Sequence, residues 1–128
     1  MILSFIKYPV LRYHRFLDRL NSKQTENPKV HRLGGLEVNE ETVEVTVDDK
    51  TVKVTPIEFK ILLLLIQNPG RVFPAEEIYE RVWNERAINT DTVMVHIRNL
   101  REKIEVNPRE PKYVKVVWGV GYKIEKQP

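Results

Sequence analysis

The sequence predicts an α+β fold in which short strands come first, three helices follow and a hairpin closes the chain. Three observations predict it. Between residues 30 and 54, apolar and polar residues alternate in runs separated by turn formers. Between residues 55 and 105 the apolar spacing lengthens to that of helices. After Pro108–Pro111, two alternating runs flank Trp118-Gly-Val-Gly121. Period two marks a half-buried strand and a period near 3.6 marks a half-buried helix, so helices packed on sheet is the expected layering.

Residues 8–22 come first and read as a helix, with Pro9 in its first turn and Val10, Tyr13, Leu17 and Leu20 at helical spacing. Asn21–Pro28 is polar and ends in Asn-Pro, as a linker does. The expected division is therefore an N-terminal helix and linker over 1–28 and one domain over 29–128. Strands are expected at Val30–Leu33, Leu36–Val38, Val43–Val47 and Val52–Val54, forming a small antiparallel meander with one buried face. Thr55-Pro56-Ile57-Glu58 starts the next helix. Thr55 suits the N-cap, Pro56 the first helical position, and Glu58 completes a capping box. Phe59, Leu62, Leu63, Leu65 and Ile66 make a wide apolar side, which predicts deep burial. Asn68-Pro69-Gly70 stops this helix, and Val72-Phe73 is a candidate for a short pairing segment. Pro74 opens a second helix with Ile78, Val82 and Trp83 on one face. Asn84–Asn89 is a polar loop and residues 90–105 form a third helix. Lys112–Val117 and Tyr122–Glu125 pair across a turn whose two glycines tolerate positive φ. Helix, short connection, helix and hairpin, in that order, make a winged helix-turn-helix.

Composition narrows the function. With no cysteine, a disulfide framework and thiolate chemistry are excluded. No apolar run approaches the roughly 20 residues of a membrane span, and residues 1–7 lack the features of a signal peptide, so a cytoplasmic protein is expected. His14, His31 and His96 stand far apart without metal-ligand spacing. Gly119-Val-Gly121 lacks the third glycine of a dinucleotide fingerprint. Neither an enzyme nor a cofactor is expected. The net charge of +3 says little, but its distribution says more. Residues 1–32 carry 7 Lys and Arg against 2 Asp and Glu, residues 33–89 carry 6 against 11, and residues 90–128 carry 8 against 5. A basic end beside an acidic middle suits one polyanion-facing surface.

The third helix carries the functional expectation. On a wheel, Val93, Ile97, Leu100 and Ile104 form one narrow apolar stripe that faces the core. Thr92, His96, Asn99 and Lys103 form a second stripe beside it, while Arg98 and Arg101 lie on the other side of the apolar stripe or toward the back. A helix anchored along one edge can enter the roughly 12 Å wide major groove of duplex DNA. There Asn can pair with adenine at two points, and Lys or Arg can neutralise phosphate.

The stretches TPIEFKILLLLIQNPGRVFPAEEIYERVWN, TVMVHIRNLREKIE and PKYVKVVWGVGYKI resemble the effector domain of OmpR/PhoB-type response regulators, and KVVWGVGYKIEK resembles its vancomycin-resistance branch most. The likeness covers about residues 29–126. It implies a four-stranded N-terminal antiparallel sheet, three helices and a C-terminal hairpin wing. It implies binding to double-stranded DNA at direct repeats, with self-association of tandem copies on the site. Loop 84–89 would face RNA polymerase.

By the same resemblance Thr92, His96 and Asn99 take the groove-facing positions. Trp83 takes that of a Trp that donates to phosphate, or is a core residue. Arg98 and Arg101 either touch phosphate or form ion pairs within the protein. Lys103 and Lys115 are expected on the phosphate-tracking surface. Tyr122 either reaches phosphate or packs the hairpin. Trp118 departs from the family pattern, because many members have an arginine there that enters the minor groove. Trp can stack on sugars or on a partner subunit instead. Residues 1–22 resemble the last helix of the receiver domain that precedes this module in the family, followed by its linker. Only Asp18 and Glu26 are acidic before the strands, so no phosphorylation switch is expected in this chain. The alternative expectation is a receiver-less antagonist or mixed-dimer partner that acts through protein contacts.

Overall fold

The computed structural model describes residues 28–125. The helix expected over 8–22 lies outside them. Four strands, β1 (Val30–Leu33), β2 (Leu36–Asn39), β3 (Glu44–Val47) and β4 (Lys50–Val52), form an antiparallel sheet in the order β1-β2-β3-β4. Helices α1 (Pro56–Ile66), α2 (Ala75–Trp83) and α3 (Asp91–Ile104) follow, and the hairpin β5 (Val114–Val117) and β6 (Gly121–Ile124) ends the described chain. This is the expected architecture.

Leu36 pairs with Val47, and Val38 with Val45, so these side chains share the face turned to the helices. The expected single buried face does not hold at the centre of the sheet, where the pair Glu37 and Thr46 on the other face is buried too. The β3–β4 turn is the two residues Asp48 and Asp49, both at positive φ (51° and 67°), the backbone of a tight primed hairpin. That turn ends β4 earlier than the expected Val52–Val54. Continued register would place Val54 opposite Val43, and Val43 sits in the left-handed region at φ 58°, outside any ladder.

Helix α1 begins as its capping box dictates. The Glu58 N–H donates to Thr55 Oγ1 at 3.2 Å, and the Thr55 N–H donates to Glu58 Oε1 at 3.0 Å. Phe59, Ile61, Leu62, Leu65 and Ile66 are buried, and with Leu36, Val38, Ile78, Val93, Ile97 and Leu100 they form one core cluster. Helix α2 ends at Asn84, whose left-handed conformation (φ 58°) is a usual helix stop.

Phe73, the expected pairing residue, bridges to the hairpin. Its N–H donates to the Tyr122 carbonyl at 2.8 Å, and the Tyr122 N–H donates back at 3.0 Å. Gly119 has the anticipated positive φ, 75°, but Gly121 does not. Gly121 is required for space, because a Cβ there would lie 2.1 Å from the Phe73 carbonyl oxygen. Among the described residues no helix is long and apolar enough to cross a membrane.

Candidate nucleic-acid interface

Helix α3 is pinned from both ends. At its start the Asn89 side-chain oxygen accepts the Asp91 N–H at 2.9 Å, and the Thr90 carbonyl accepts the Val93 N–H at 3.0 Å. At its end Glu105 leaves the helix in an extended conformation and buries its carboxylate. That carboxylate accepts the backbone N–H groups of Lys112 (2.6 Å), Tyr113 (3.0 Å) and Val114 (2.8 Å). The residue that ends α3 therefore also positions β5. The three N–H groups from Lys112 to Val114 thus find a partner in one carboxylate at the point where β5 begins. Arg101 adds a second tie, its Nε donating to the Val114 carbonyl at 3.1 Å, with its guanidinium 5.9 Å from the Tyr122 ring. Burial pushes the Arg101 pKa below its ordinary value, against the raising influence of Tyr122 and Glu105. An arginine starts high enough to stay charged regardless.

Four residues of α3 are buried, Val93, Ile97, Leu100 and Ile104, the stripe expected from the wheel. The outward face, however, is Met94, Val95, Arg98, Asn99 and Glu102, all exposed. The stripe expected to be the exposed edge lies partly under neighbouring elements. Thr92 is half-buried, and no partner reaches its Oγ1 among the described residues. His96 is half-buried against Trp83, ring centroids 5.6 Å apart, and Trp83 stacks on Tyr79 at 4.7 Å with an 8° interplanar angle. Lys103 reaches across to α1, where its Nζ donates to Glu58 Oε1 at 2.6 Å. The Glu58 side chain is 2% exposed and that of Lys103 34%, so the pair is a bolt between helices with one end in water. The physical reason is simple. Near its start the stripe expected to be exposed borders α2 and is partly covered there, while Asn99 on the same stripe stays exposed. Met94 and Val95 were legible as an anomaly, since Val93-Met94-Val95 cannot all face one core.

The hairpin runs beside this face. Between them lies a groove of about 480 Å³ lined by Met94, Ile97, Arg98 and Arg101 of α3, Ala75 of α2, and hairpin residues Val116–Tyr122. Trp118 stands at the hairpin tip, 92% exposed. Lys115 pairs in register with Lys123, and the like charges are offset by Glu125, whose Oε1 lies 3.0 Å from Lys123 Nζ.

The family described as "Transcriptional regulatory protein, C terminal" matches residues 49–124, more than half of the chain. The chain belongs to this family. The regulatory protein VanR of Enterococcus faecium is 39% identical over 98% of this chain and 53% of its own length. The response regulator DrrB of Thermotoga maritima, described as an OmpR/PhoB homolog, superposes with a TM-score of 0.72 at 28% identity, over 98% of this chain and 55% of that one. The DNA-binding domain of the response regulator AdeR, solved in complex with an intercistronic region, gives a TM-score of 0.64 at 26% identity, over 75% of this chain and 99% of that one. The chain spans about half the length of the curated relatives it matches.

As a member of this transcriptional regulatory family the chain has the winged-helix fold, and its anticipated site residues divide into groups. Arg98, Trp118 and the half-buried Tyr122 line the groove between α3 and the hairpin, together with Met94, which was not anticipated; Asn99 is exposed on α3 outside that lining, and Lys115 lies on β5. Thr92, His96 and Trp83 cluster at the α2 side of α3. Arg101 and Lys103 are tied to Val114 and Glu58 within the protein.

Proposed function

We propose that this chain binds double-stranded DNA sequence-specifically in transcription regulation, with α3 in the major groove and the hairpin on the adjacent backbone and minor groove. The observation that carries this reading is that α3 buries four of its fourteen residues along one stripe and leaves a donor-bearing opposite face unclaimed by the protein. Membership of the transcriptional regulatory family supports it, as does the likeness to the AdeR domain, solved with an intercistronic region.

Within this reading Asn99 is the principal base reader, exposed on the outward face and able to pair with adenine at two points. Arg98 contacts phosphate or an adjacent base. Thr92 and His96 serve the groove flank near Trp83, whose half-buried ring can both pack and reach a phosphate. Lys115 and Tyr122 carry the wing's backbone contacts. Arg101 and Lys103 act on DNA through the positions they hold, since both are engaged within the protein. Tandem copies on direct repeats, and loop 84–89 with exposed Ile88 directed at RNA polymerase, belong to the same proposal.

Selection of bound sites from random duplex DNA tests it. Enrichment of a defined sequence is expected, and Asn99→Ala should relax preference at one position by about 1–3 kcal/mol. Identical selected sequences for both proteins would remove Asn99 as a reader. No enrichment at all would sink the proposal.

A further inference from the structure

We infer that Trp118 is an apolar wedge that enters the minor groove beside α3, so that affinity depends on how readily the duplex opens at that step. This rests on the DNA-binding reading above and adds a specificity element to it. A tryptophan 92% exposed is not a remnant of a core, since large aromatics are ordinarily well covered. Nor is it carried on a loose loop. The tip closes through the Val120 N–H donating to the Val117 carbonyl at 2.9 Å. Behind it, Phe73 exchanges two hydrogen bonds with Tyr122, and the Gly70 N–H donates to the Ile124 carbonyl at 2.7 Å. Gly121 closes so tightly on Phe73 that no side chain fits. The indole is presented on a stiff mount.

The surroundings identify the occupant. Trp118 shares its groove with Arg98 and Met94 of α3, so whatever meets the outward face of α3 also meets the indole. The charged residues lining that groove are Arg98 and Arg101, with no carboxylate among them. An apolar ring beside two arginines fits a polyanion whose interior is flat and stackable, which is the chemistry of a duplex. Beside a helix lying in the major groove, the neighbouring concavity across the phosphate ridge is the minor groove. An indole cannot exploit the negative potential of a narrow A-tract as a cation does. It gains by stacking on deoxyribose or between partly unstacked bases, and flexible pyrimidine–purine steps make that least costly.

The test uses duplexes enriched by the intact chain and altered only at the step under the wing, a TA or CA step against an A-tract. The wild type is expected to prefer the flexible step. Trp118→Ala should lose about tenfold affinity on the flexible duplex and lose the preference. Trp118→Phe should keep the preference, and Trp118→Arg should shift it toward the A-tract. Emission quenched on saturation with duplex more strongly in the wild type than in Trp118→Ala, where Trp83 alone reports, is the accompanying signature. The indole lies outside the core, and thermal melts establish that each variant is folded. Equal affinities of wild type and Trp118→Ala on both duplexes overturn the inference while leaving base reading by α3 intact. Emission that instead responds to protein concentration without DNA assigns the ring to a second copy and overturns it too. If no duplex is enriched, the DNA-binding reading falls and the wedge with it.

Discussion

Helices α1 and α3 are built from similar lengths of chain and do opposite things with their surfaces. Helix α1 lies between the sheet and the other helices, and burial claims six of its eleven residues, including the carboxylate of Glu58. Helix α3 gives the core a single stripe and turns Met94, Val95, Arg98 and Asn99 to solvent. The first helix is a support that keeps only a narrow edge, Pro56 and Lys60, in solvent. The second is held by one edge so that its other edge is available. The Lys103–Glu58 contact joins them, and it shows that a cation on α3 can be engaged within the protein.

Substitutions can break this contrast in a graded way. Leu62→Ala removes a fully buried side chain of α1 and should cost about 2–5 kcal/mol in urea-induced unfolding, with the base preference of the folded protein unchanged. Altered base preference without lost stability would mean that α1 is no mere support. Gly121→Ala should cost about 1–3 kcal/mol, because the added Cβ meets the Phe73 backbone and forces the hairpin off its mount. Stability equal to wild type would show that the hairpin is not pinned there. Lys103→Met should cost about 1–2 kcal/mol by leaving the Glu58 carboxylate short of a partner, a value held down by the partial exposure of the lysine. The salt dependence of DNA binding should be unchanged. A slope reduced by about one counterion would return Lys103 to the phosphate surface. Asn99→Ala completes the series, within about 0.5 kcal/mol of wild type in stability, since its effect is expected on DNA alone.

Much of the scaffold was legible in residue order. The Thr55–Glu58 box, the four-strand order and the Val93/Ile97/Leu100/Ile104 stripe each follow from local rules, and each stands in the structure. The interface was only partly legible. The wheel located the buried stripe of α3, and of the edge expected beside it Asn99 and Lys103 are exposed while Thr92 and His96 are half-buried, because a wheel holds no information about which neighbour covers which side. Gly121 was read as a residue needed for its φ. It is needed because another strand of chain presses on it.

Local periodicity, capping and turn chemistry act over a few residues, so the order of elements, the buried face of each helix and the family likeness were all present in the linear chain. The partners of Glu58, Glu105 and Arg101 were not. Lys103 lies forty-five positions from Glu58, and Glu105 nine from Val114. Which charged group is spent inside the protein and which is left for a ligand depends on how the helices cross and where the hairpin lands. Only packing decides that, because a charge near the core must find a partner or keep its contact with water.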